Sequence, residues 1–156
     1  MFTLNEALQS DTVLIGHYPL SLVLLHKDAN YPWCILVPQR SNVTEIYQLD
    51  AADQKQLLDE SCQLSETMVG LYAPSKMNIA ALGNMVPQLH VHHVARFKTD
   101  GAWPNPIWGA QEPQPYTEEA LAARVSKLRS ALSGDDFIIS DEAPEPTSNF
   151  SQTIET

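Results

Sequence analysis

Two dense apolar runs, Leu20-Ser21-Leu22-Val23-Leu24-Leu25 and Trp33-Cys34-Ile35-Leu36-Val37, constrain this chain more than any other feature. Each is too short for a stable helix and long enough for a fully buried strand. Between them lies His26-Lys27-Asp28-Ala29-Asn30-Tyr31-Pro32, rich in turn formers. The pair therefore predicts a β-hairpin with a long loop, its second strand ended by Pro38. With 44% hydrophobic and 18% charged side chains in 156 residues, the chain has material for one core and not for two.

The other elements arrange themselves around that hairpin. Leu4 to Ser10 suits one or two helical turns, and Thr12 to Gly16 a short strand stopped by glycine. Asp50 is a good N-cap for a helix over about 51–73, closed by Pro74. Leu57, Leu58, Ser61, Cys62, Met68, Val69 and Tyr72 form its expected buried face. Met77 to Leu82 and Gln88 to Phe97 read as strands, and residues 100–116, with four prolines and Trp103 and Trp108, as an irregular packed segment. A second helix fits 117–133, with Leu121, Val125, Leu128 and Leu132 buried and Gly134 as its stop. Strands, a helix, then strands again predict an α+β fold with a largely antiparallel sheet. The expected domain is 1–134, with a core over about 10–100, an extension over 101–134 and a mobile acidic tail over 135–156.

Charge and composition narrow the function. The formal charge is −10, but residues 135–156 carry six acids and no Lys or Arg, leaving the body at −4. An acidic body disfavours duplex nucleic acid, whereas a pocket still binds a small phosphate group through N–H donors. No apolar run approaches the ~18 residues of a membrane span, and the N-terminus lacks a signal-peptide pattern. Cys34 and Cys62 have no CxxC spacing, so a reducing cytoplasm is the expected compartment.

Three of the five histidines, His90, His92 and His93, fall within four positions. Strand alternation would project Gln88, His90 and His92 from one face, turn Leu89 and Val91 to the core and point His93 away. Two imidazoles at i and i+2 allow a metal site, completed by His17, His26 or carboxylates. They also allow nucleophilic or acid–base catalysis, or polar residues on a half-exposed face with no function.

The stretch Gly83-Asn84-Met85-Val86-Pro87-Gln88-Leu89-His90-Val91-His92-His93-Val94-Ala95-Arg96 resembles the signature of the histidine triad (HIT) nucleotide hydrolases and transferases, His-φ-His-φ-His-φ-φ. The order of elements over roughly 10–100 agrees with that resemblance. Anchoring on Gly83-Asn84-x-Val86 and on Ala95-Arg96 puts Gln88 in the first triad position, His90 in the centre and His92 last. The competing register, with His90 first and Val94 last, breaks both flanks.

The resemblance implies a HIT-like fold and attack by His90 on the α-phosphorus of a nucleotide, giving a nucleotidyl-histidine that water hydrolyses. It gives His92 the phosphate oxygens or the departing atom, and Gln88 a backbone carbonyl that fixes the His90 tautomer. Expected phosphate or nucleotide contacts are Gly83, Asn84, Asn78, His26 and Arg96, while Trp33 replaces an additional histidine of many relatives. It also implies a homodimer, with no metal and no cofactor. The substrate would be a nucleoside phosphoramidate, dinucleoside polyphosphate or nucleotidyl conjugate. The alternative is a non-catalytic nucleotide-binding or regulatory module, consistent with the changes at Gln88 and Trp33.

Overall fold

A computed structural model describes residues 1–134 and 136–143. The apolar runs become β2 (Ser21–His26) and β3 (Trp33–Pro38), antiparallel, with Leu24 opposite Ile35. They lie inside a six-stranded antiparallel sheet with β1 (Thr12–His17), β4 (Lys76–Ala80), β5 (Val91–Arg96) and β6 (Ile138–Ile139), ordered β4-β5-β3-β2-β1-β6.

Both faces of the hairpin are covered, which is why its residues are apolar without alternation. On one face Val23, Leu25, Cys34 and Leu36 pack under α2 (Ala51–Tyr72) and α3 (Glu118–Leu132). On the other, Leu22, Leu24, Trp33 and Ile35 pack against Leu4 and Leu8 and against Ala102 and Ile107. Leu8 belongs to the short helix α1 (Glu6–Asp11), capped by the Asn5 side chain. Asp50 and Thr117 cap α2 and α3 as the sequence indicates, each accepting from the N–H three residues on.

The buried face of α2 differs from the expected one. Leu57, Glu60, Ser61, Leu64 and Met68 are buried, whereas Leu58, Cys62 and Val69 face outward. The stripe through 57, 61, 64 and 68 keeps helical period, and residues 58, 62 and 69 lie about 100° round from it. Glu60 is buried because its carboxylate accepts the N–H groups of Leu20 and Ser21, both at 2.9 Å. That contact ties the β1–β2 turn to the helix.

Two boundaries also move. Gly16 does not stop β1, which continues to His17 after a bulge between Leu14 and Gly16. Its missing side chain makes room for the edge strand: a Cβ there would collide with the Ile138 carbonyl and lie 2.6 Å from the Phe137 ring. The packed domain does not end at 134 either, since Phe137 is buried in the core and Ile138–Ile139 pair with Gly16–His17. The remainder of the expected acidic tail, residues 135 and 144–156, lies outside the described residues.

Candidate functional site

The histidine strand starts later than its alternation suggests. Ladder pairing begins with Leu36 opposite Val91, and His92 lies opposite Ile35. Pro87 to His90 form an irregular approach, held where the Leu89 N–H donates to the Val43 carbonyl at 2.9 Å. His90 and His92 do share a face, with ring centroids 4.8 Å apart and nearly perpendicular planes. Gln88 does not join them. Its amide donates to the Thr3 carbonyl and its side-chain oxygen accepts from the Asn5 N–H, both at 2.9 Å, so the side chain fastens the N-terminal segment.

The backbone of Gln88 is what reaches the site. Its carbonyl lies 2.7 Å from His90 Nδ1. A carbonyl only accepts, so Nδ1 carries the proton and Nε2 presents a bare lone pair. His92 has the complementary arrangement. Trp33 Nε1 lies 3.0 Å from His92 Nδ1, and an indole N–H only donates. His92 Nδ1 is therefore the acceptor and Nε2 carries the hydrogen. Burial pushes the His92 imidazole down to about 3, and the neighbouring His90, His26 and His93 add to that shift. One face thus presents a ring nitrogen with a free lone pair beside a ring N–H donor.

His26 forms the next layer. Its ring stacks on Trp33 with centroids 3.7 Å apart and planes 5° from parallel, and its Nδ1 accepts the Asp28 N–H at 3.1 Å. Burial lowers its pKa, against the pull of Asp11 and Asp28. Trp108 packs edge-on to both Trp33 and His92. It is carried there by the 100–116 segment, whose Gln111 amide donates to the Tyr31 hydroxyl at 2.8 Å. The Gln114 N–H donates to Asp28 at 3.1 Å.

These groups wall a cavity of about 380 Å³ that includes His26, Trp33, Gly83, Asn84, His90, His92 and Trp108. A second cleft of about 590 Å³ adjoins it across His26, Trp33 and Trp108. Both are of small-ligand size. A cleft of about 640 Å³ between the N-terminal segment and residues 141–143 is larger but contains no histidine, so we place no chemistry there. Among the described residues lining the histidine cavity, Asp11 is the only formally charged side chain.

The other expected site residues divide. Gly83, in the left-handed region at φ 72°, and exposed Asn84 reach the cavity through the loop before the histidines. Asn78 and Arg96 do not reach it. Arg96 is 1% exposed and donates to Asp100 at 2.8 and 3.0 Å and to Asn78 at 2.7 Å. It also lies over the Tyr31 and Trp103 rings. It is neither solvated nor available to a phosphate. His93 points to the opposite face, donating from Nδ1 to the Val91 carbonyl at 3.0 Å and accepting from the Ser61 hydroxyl at 2.7 Å. Burial lowers its pKa to about 4. His17 ends β1 between Leu22 and Ile138, beside the Tyr18 carbonyl, and does not line the histidine cavity.

Among the described residues, no three His, Cys, Asp or Glu side chains converge as a metal site, and no helix is long and apolar enough to cross a membrane. The contribution of Trp33 was not legible beforehand. It follows from the β3–β5 register, which sets Trp33 diagonally beside His92 on one face.

Comparison with known proteins agrees with this geometry. The HIT domain profile matches residues 7–99. A histidine triad protein of Marinobacter aquaeolei VT8 is 52% identical, with a TM-score of 0.82 over 85% of this chain and 96% of that one. One from Bradyrhizobium japonicum is 45% identical, with a TM-score of 0.83 over 85% of this chain and 98% of the other. A third, from Sinorhizobium meliloti 1021, is 38% identical, with a TM-score of 0.82 over 85% and 98%. No curated protein matches the chain.

Proposed function

This chain belongs to the HIT domain family, and from that premise we propose that it is a nucleotide hydrolase acting at the α-phosphate through His90. The observation that carries this reading is the pairing of opposite tautomers, a bare Nε2 on His90 beside an Nε2–H on His92. In the first step His90 Nε2 forms a bond to the α-phosphorus and the bond to the leaving group breaks. The Nδ1–H remains on the Gln88 carbonyl, which stabilises the cationic ring of the nucleotidyl-histidine. The leaving group takes its proton from water. In the second step water adds its oxygen to phosphorus and gives a proton to the hydroxide left by the first step, the P–N bond breaks, and its electron pair returns to Nε2. His92 Nε2–H, with N–H groups of the Gly83–Val86 loop, donates to the phosphoryl oxygens on which charge develops.

The electrostatics favour one substrate class within this reading. A dinucleoside polyphosphate brings several negative charges; among the described residues the histidine cavity supplies no Lys or Arg, and the adjoining cleft sets the single cation Lys27 against Asp11 and Asp28. A nucleoside phosphoramidate carries a single phosphate charge and releases an amine, which Asp11 tolerates. Turnover of an adenosine phosphoramidate by wild type, His90→Ala and His92→Ala tests the proposal. Monophosphate release that disappears in His90→Ala supports it. Nucleotide binding without turnover in the wild type supports the non-catalytic module, for which the altered first triad position argues. We further propose a homodimer working in the cytoplasm without metal or cofactor. Sedimentation of the full chain tests the dimer.

A further inference from the structure

Trp33 stands where the resemblance predicts the loss of an accessory histidine, yet its indole N–H is bonded to His92 at 3.0 Å. We infer that Trp33 is a positioning residue that locks His92 as a permanent Nε2–H donor, so that His92 holds charge by hydrogen bonding and does not shuttle a proton. The chemistry follows from the two rings. Indole N–H is a donor only, so His92 gains no second proton on Nδ1 while that bond persists. A neutral imidazole whose Nδ1 is occupied as an acceptor has only the Nε2 hydrogen to offer. Giving that hydrogen away would leave an imidazolate, so transfer to a leaving group is closed.

The donor is itself held rigidly. Trp33 is 8% exposed, stacked face to face on His26 and edge-on to Trp108. The titratable groups around His92 are His90 from the approach to its strand, His93 next to it on β5 but on the opposite face, His26 from β2 and Asp11 from α1. His26 has its Nδ1 committed to the Asp28 N–H, and no hydrogen bond joins Asp11 to His92. The Nδ1 lock is therefore assigned to Trp33 alone. Histidine at position 33 would preserve the donor, because imidazole superposes on the five-membered ring of indole and sets its Nε2–H where the Trp33 Nε1–H lies. Phenylalanine keeps an aromatic ring and removes the donor.

The test is ¹⁵N NMR of the full-length protein, with kinetics on an adenosine phosphoramidate. In the wild type, a coupling across the hydrogen bond joins Trp33 Nε1 to His92 Nδ1, and His92 remains neutral down to pH 5. In Trp33→Phe, His92 accepts a second proton at a higher pH than in the wild type, and kcat falls about fivefold with KM little changed. Trp33→His restores the neutral Nε2–H form and returns kcat to within about twofold. His92 unchanged in Trp33→Phe overturns the inference, as does equal loss of kcat in both variants, which would mark simple packing. The catalytic consequence rests on the nucleotidyl-transfer reading, but the NMR result does not. A protein that binds nucleotide without turnover refutes that reading while the coupling still decides the role of Trp33.

Discussion

Replacing Arg96 by Met distinguishes an internal strut from a phosphate contact. The guanidinium donates at 2.8 and 3.0 Å to Asp100 and at 2.7 Å to Asn78, and it lies 5.8 and 5.6 Å from the Tyr31 and Trp103 ring centres. Methionine fills much of the stem volume and offers no donor. Removing one partner from a buried ion pair costs about 3–5 kcal/mol, mainly because the other charge loses its compensation. Asp100 would keep the N–H groups of Phe97, Ala102 and Trp103, which places the loss at the lower end, about 3 kcal/mol. At this chain length each kcal/mol moves Tm by roughly 2–4 °C, so the expected drop is about 6–12 °C.

The pH dependence supplies a second check. Burial pushes the Asp100 carboxyl up, but the Arg96 hydrogen bond and the Phe97 and Trp103 N–H groups outweigh it and hold it at about 2, below the ordinary 3.8. A depressed carboxyl stabilises the fold above its unfolded value and loses that contribution as pH falls through the folded one. The gap between wild type and variant should therefore narrow below pH 4. Urea unfolding followed by tryptophan fluorescence, at pH 7 and in acid, measures both quantities. A variant with wild-type stability and a raised KM for nucleotide would refute the reasoning and return Arg96 to the substrate.

Three further outcomes follow from the same structure. His92 and His93 are held down to about 3 and 4, mainly by burial, so below about 6.5 the unfolded chain binds protons that the folded chain refuses. Stability should fall by roughly 1.4 kcal/mol per pH unit for each, about 4 kcal/mol in all at pH 5; a flat denaturation profile between pH 5 and 8 would contradict this. Gln88→Ala should change kcat by less than about threefold, because the tautomer is fixed by a backbone carbonyl, yet speed hydrogen exchange near residues 3–8 through the loss of two bonds. A collapse of kcat with an unchanged N-terminal segment would assign the side chain a chemical role. Gly16→Ala should cost about 1–3 kcal/mol and loosen β6, read as faster exchange at Ile139, since its Cβ has no space beside Phe137.

The sequence announces its hairpin, its capped helices and its histidine strand because each rests on local chemistry. The apolar runs, Asp50 and Thr117, and the spacing of His90 and His92 all hold in the structure. What escapes such a reading depends on partners far along the chain. The buried side of α2 is decided by the Glu60 carboxylate meeting Leu20 and Ser21, and a carboxylate is a poor core candidate until its donors are known. Arg96, next to the histidine motif, reads as a phosphate contact, but Asp100, Asn78 and two aromatic rings bury it. Gln88 shows how a side chain and its own carbonyl take separate tasks, one on the N-terminal segment and one on His90. The Trp33–His92 bond needs the β3–β5 register, which no local pattern encodes.

Rapid quench of the protein with an adenosine phosphoramidate, followed by peptide mass analysis under alkaline conditions that preserve phosphorus–nitrogen bonds, tests the central claim most directly. The account predicts an adenylyl group on His90, present in His92→Ala at reduced yield and absent from His90→Ala. An adenylyl group on His92, or monophosphate release that survives His90→Ala, would contradict it.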